Sequence, residues 1–118
     1  MKTQPLPSVT GADVQRVVRR DFSAGEEAEI LSLLSEYGVD HRRRETNRVR
    51  LAVLKLAAGD AHRVKHYVEC ARNDYRDVLS WAEYPNYCKL LTPWKLPQAQ
   101  VEQTIDADWA EYQEWLGR

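Results

Sequence analysis

Apolar positions recur along this chain with a helical period, most plainly between Asp60 and Pro85. At 100° per residue, Val64, Tyr67, Val68, Ala71, Tyr75, Val78, Leu79 and Ala82 fall within about 60° of one line, the stripe of a helix that buries one face. Asp60 suits the N-cap, because its carboxylate can accept a bond from a free first-turn N–H. Pro85 ends the run by disfavouring helical geometry at Tyr84. The pattern predicts one unbroken rod about 35 Å long, at about 1.5 Å per residue.

The flanking segments carry the same period. Thr10 and Asp13 form a threonine-x-x-acid start ahead of Val14, Val17, Val18 and Phe22. Ser23 and Glu26 make a capping box before Ile30, Leu31, Leu33, Leu34 and Tyr37, and Gly38 suits a left-handed closing residue. Asp40 is placed to cap a third helix reaching Ala58. Its Val49, Ala52 and Val53 lie opposite Leu51 and Leu54, so this helix is expected to be packed on two sides and central. The short Gly59-Asp60 junction then predicts an antiparallel hairpin of helices three and four. Tyr87, Leu90, Leu91 and Trp94 read as an ordered connection around Thr92-Pro93. A last helix starts at Pro97 or, alternatively, at Thr104 or Asp106, with Ile105, Trp109, Tyr112, Trp115 and Leu116 inward. No Asn-Gly or Asp-Gly turn and no period-two run is present. The expected fold is all-α: a small bundle of four to five helices around a central antiparallel hairpin. Residues 1–9 form a flexible arm with two prolines, and 10–118 a single helical domain.

Composition narrows the function more than it names it. The 43% hydrophobic content argues against global disorder, and a net charge of −1 gives no whole-molecule field for nucleic acid or membrane. No apolar run is long enough for a signal peptide or a membrane span, so a cytoplasmic location is expected. Two cysteines, Cys70 and Cys88, make no disulfide framework.

The stretches Arg48-Val49-Arg50-Leu51-Ala52-Val53-Leu54-Lys55-Leu56-Ala57-Ala58-Gly59-Asp60 and Asp74-Tyr75-Arg76-Asp77-Val78-Leu79-Ser80-Trp81-Ala82-Glu83-Tyr84-Pro85 resemble a group of small bacterial proteins of unassigned function. Those proteins carry an RVxLAxLKLAxGD pattern followed by DYRDVLxxAEYP. The resemblance implies a soluble helical protein, and it implies no activity or site residue.

Charge is unevenly spread. Between Val39 and Lys65 stand eight Lys or Arg against three acids, whereas Gln98 to Arg118 holds five acids against Arg118 alone. A basic helix beside an acidic one accounts for both runs. A patch for a partner protein is the next reading, using Arg42, Arg43, Arg44 and Arg48 with Trp109 and Trp115. Nucleic acid held by helix 41–55, through Arg42, Arg43, Arg44, Arg48 and Arg50, is an alternative. Another is a ligand-binding or catalytic pocket near Glu45, a carboxylate on an apolar line, with an Arg42–Glu45 ion pair as the structural explanation. Asp74 is expected to accept bonds from an arginine of helix three. Asp108 is expected in a first helical turn, where the dipole favours negative charge. His62 and His66 share a helix face but are read as lacking a cysteine or acid at a ligand spacing, so no metal site and no cofactor is expected. With no nucleophile frame or phosphate loop, the leading expectation is a non-enzymatic interaction module, an adaptor or subunit that binds a partner protein or itself.

Overall fold

The computed structural model describes residues 8–38 and 45–118. Among these, the chain is all-α, with five helices: α1 (Gly11–Asp21), α2 (Glu27–Ser35), α3 (Thr46–Ala57), α4 (Ala61–Glu83) and α5 (Gln98–Gly117). Two 3₁₀ turns, Tyr87–Lys89 and Pro93–Lys95, join α4 to α5. No described helix is long and apolar enough to cross a membrane. Residues 1–7 of the expected arm, and Asp40, His41 and Arg42 to Arg44, lie outside the described residues.

Local chemistry sets the element ends. Thr10 N–H donates to Asp13 Oδ2 at 2.9 Å, closing the start of α1. Ser23 N–H donates to Glu26 Oε1 at 3.2 Å in the turn that leads into α2. Gly38 has φ +93, and a Cβ there would meet Thr46 Cγ2 at 2.6 Å, so glycine is required on both counts. Helix α3 buries Val49 and Ala52 as well as Leu51 and Leu54, the burial on two sides that its pattern predicts. Its N-terminus is later than Asp40: Glu45 precedes the helix in a left-handed conformation (φ 54).

The unbroken rod is corrected. Asp74 sits inside α4 with φ −154 and ψ 101, an extended residue between helical segments 61–73 and 75–83. Its Oδ1 accepts the Arg76 N–H at 3.0 Å, the same i to i+2 bond by which Asp60 caps the helix start through the His62 N–H at 2.9 Å. Asp74 is therefore an N-cap in mid-helix, taking an amide away from the ladder and bending it. The bend is sharp. Tyr67 and Trp81 stand fourteen residues apart, about 21 Å along a straight helix, yet their ring centroids are 6.4 Å apart. Asp74 also binds Arg76, whereas the described arginines of α3, Arg48 and Arg50, bind elsewhere. Even so, α4 stays on the core through Val64, Val68 and Ala71 before the bend and Val78, Leu79 and Ala82 after it.

Helix α5 starts after Pro97, the earlier of the two expected starts. Arg16 Nη2 donates to Leu116 O and Arg20 Nη1 to Trp115 O, both at 2.7 Å, so α1 supplies cations to the carbonyl end of α5. Arg20 also lies 5.2 Å from the Trp115 ring centroid.

Candidate functional site

The charged residues of α3 turn inward or along the fold. Arg48 Nε donates to Glu83 Oε2 at 2.7 Å and Nη2 to Glu83 Oε1 at 2.6 Å, a bidentate pair with a carboxylate only 1% exposed. Arg48 Nη1 donates to Glu45 Oε2 at 2.8 Å. The Glu83 hydrogen bonds, partly opposed by burial, hold the Arg48 guanidinium above its ordinary pKa. Tyr112 lies near this pair with its hydroxyl buried and without a hydrogen-bond partner. Burial pushes its phenol well up, and the Glu83 charge adds to that. Burial likewise raises Tyr84, next to Glu83 in sequence.

The other described cations of α3, Arg50 and Lys55, are also engaged. Arg50 caps α2 by donating to Leu34 O at 3.0 Å and Tyr37 O at 2.8 Å, and burial lowers its pKa. Lys55 pairs with Glu111 of α5 at 2.9 Å, an ion pair between the basic helix and the acidic one. Glu45 pairs with Arg48, while Arg42, its expected partner, lies outside the described residues with Arg43 and Arg44. Both oxygens of Glu83 are taken by Arg48, which makes this acid the buried counter-charge of the α3 arginine.

Asp108 is corrected as well. It lies three turns into α5, 1% exposed, and accepts the Asn86 N–H at 3.1 Å, Asn86 Nδ2 at 2.8 Å and the Tyr87 N–H at 2.9 Å. The carboxylate thus satisfies the free N–H groups that open the first 3₁₀ turn and anchors the α4–α5 connection on α5. That anchored connection carries the most exposed of the large apolar side chains among the described residues. Leu91 is 90% and Trp94 75% exposed. Trp94 also lines a groove of about 390 Å³, with Tyr87, Pro93, Leu96, Gln98 and Val101. No acid occurs between Tyr84 and Val101, while Lys89 and Lys95 are exposed on the same connection.

The candidate partner residues fall elsewhere. Trp115 is buried against α1, and Trp109 is half-buried and stacked on Tyr112 at 6.3 Å. Arg48 is held by its two carboxylates. A second cleft, of about 540 Å³, lies between Arg20, Lys55, Glu111 and Trp115, and Glu45 lines neither it nor the groove. The ligand-spacing reading of the histidines also changes: Cys70 stands four residues after His66, with Sγ 3.7 Å from Nε2.

The chain matches no known family model, no curated protein and no solved structure.

Proposed function

We propose that the protein is a non-enzymatic interaction module that docks a partner protein on the connection between α4 and α5. The observation that carries this reading is the exposure of Leu91 and Trp94 on a segment fixed by Asp108. Solvated apolar side chains of this size on an ordered surface are what a partner covers, and a rigid platform loses little conformational entropy when it does. A tryptophan beside an apolar groove is the usual form of an interface anchor, costing about 2 kcal/mol or more of binding when truncated. Lys89 and Lys95, exposed on the same connection as Leu91 and Trp94, favour an acidic partner surface. The expected place of action remains the cytoplasm.

The test is affinity capture from the producing cell with the wild-type chain and with a Leu91→Ser/Trp94→Ser variant. The wild type is expected to retain a specific protein that the variant loses, with equal helical circular dichroism in both. Retention of the same proteins by both chains would refute this surface.

A further inference from the structure

We propose that His66 and Cys70 are half of a tetrahedral zinc site, completed by the same two residues of a second copy of this chain. The two side chains lie four residues apart in the first segment of α4, a spacing that places them on one face, one turn apart. Their donor atoms, Cys70 Sγ and His66 Nε2, are 3.7 Å apart. Two ligands of one tetrahedral zinc, at about 2.3 Å for sulfur and about 2.05 Å for nitrogen, stand about 3.6 Å from each other. The pair is thus already set at the separation an ion requires, and thiolate with imidazole is the donor combination that zinc selects.

Half a site is what one chain offers. Among the described residues no group of three or more His, Cys, Asp and Glu can share an ion. A two-fold axis through the metal repeats both donors and closes a neutral Cys₂His₂ shell, because an isologous contact presents the same residues twice. The surroundings suit such a contact. His66 is exposed, and its ring is held by an edge-to-face contact with Tyr67 at 4.9 Å. The bend at Asp74 brings Trp81 onto Tyr67, the neighbour of the His66 ring, so a 40% exposed indole adds apolar surface for the second copy to cover. On binding, each Cys70 thiol gives its proton to solvent, and one ion takes two sulfur and two nitrogen ligands.

The experiment uses the full chain carrying Cys88→Ser, which leaves Cys70 as its one thiol. Cobalt(II) chloride is titrated and followed by absorbance, and sedimentation velocity is run with zinc chloride and with EDTA. The expected result is a near-ultraviolet thiolate-to-cobalt band saturating at one ion for every two chains, with a dimer in zinc and a monomer in EDTA. Both signals are lost in Cys70→Ser and in His66→Ala, and both persist in His62→Ala. Saturation at one ion per chain without dimerisation would overturn the shared site. So would metal binding that survives Cys70→Ser, a dimer that survives EDTA, or the absence of any cobalt band, which would leave the pair as a thiol beside a base.

Discussion

Removing Glu83 probes one of the two buried carboxylates among the described residues. Glu83→Ala deletes two charge-assisted bonds of 2.6 and 2.7 Å and leaves the Arg48 guanidinium, largely covered by the protein, with Glu45 alone. Breaking one side of a buried ion pair costs about 3–5 kcal/mol, mostly because the remaining charge is left without compensation. Glu45, at 2.8 Å, compensates in part and places the expected loss at the lower end, about 3 kcal/mol. With a urea dependence of about 2 kcal/mol per molar, the unfolding midpoint should fall by about 1.5 M. The cause is separable from simple loss of packing by removing both charges. Arg48→Met/Glu83→Leu keeps the volume and should return to within about 1 kcal/mol of wild type, since apolar replacement of a whole buried pair is often neutral. Urea unfolding followed by circular dichroism, on the wild type, both single variants and the double, measures the coupling. A Glu83→Ala midpoint within about 0.3 M of wild type would refute the reasoning, as about 0.6 kcal/mol is less than an uncompensated buried charge costs. A double variant no more stable than Glu83→Ala would refute it equally.

Two further perturbations test the neighbouring chemistry. Tyr112→Phe removes a buried hydroxyl that has no partner, so it should raise stability by about 1 kcal/mol in the same urea assay. Because the folded phenol titrates above the ordinary value of 10.0, the unfolded chain releases its proton first. Stability is therefore complete below about pH 10 and falls as pH rises beyond it. Tyr112→Phe should flatten that fall, leaving the smaller slope of Tyr84, and equal slopes in both chains would contradict the assignment. Asp108→Ala strips the acceptor from the Asn86 and Tyr87 N–H groups, so hydrogen exchange at those amides should quicken at least tenfold while Val53 in α3 stays protected. Unchanged protection at residues 86 and 87 would show that the connection is not anchored by this carboxylate.

Much of the fold follows from local pattern. The Thr10–Asp13 start, the Ser23–Glu26 bond (which closes a turn before α2 and not the helix start itself), the left-handed Gly38 and the two-sided burial of α3 all rest on interactions within one or two helical turns. The bend at Asp74 is different. Val78, Leu79 and Ala82 remain buried on either reading, so the apolar period runs through the break without registering it. The local trace of the bend is Asp74 followed by Asp77, an N-cap residue with an acid three positions on, lying inside a stripe that reads as continuous. Once the second segment turns, a flank position such as Glu83 becomes interior, which a straight projection cannot show. Asp108 is hidden for another reason: its partners lie 21 and 22 residues upstream, and nothing local ties a carboxylate in α5 to the amides of a 3₁₀ turn. The exposure of Leu91 and Trp94 is equally non-local, because it depends on what the rest of the chain leaves uncovered. The His66–Cys70 spacing, by contrast, is plain in the sequence once position 70 is counted from 66 rather than from the histidine pair.

The central functional claim concerns Leu91 and Trp94, and the most direct measurement is photo-cross-linking in the producing cell. A benzophenone amino acid is placed at position 91 in one chain and at Gln113, an exposed residue of α5, in another. The account predicts a discrete protein adduct from position 91 that is absent from position 113. No adduct from position 91, or the same products from both positions, would contradict it.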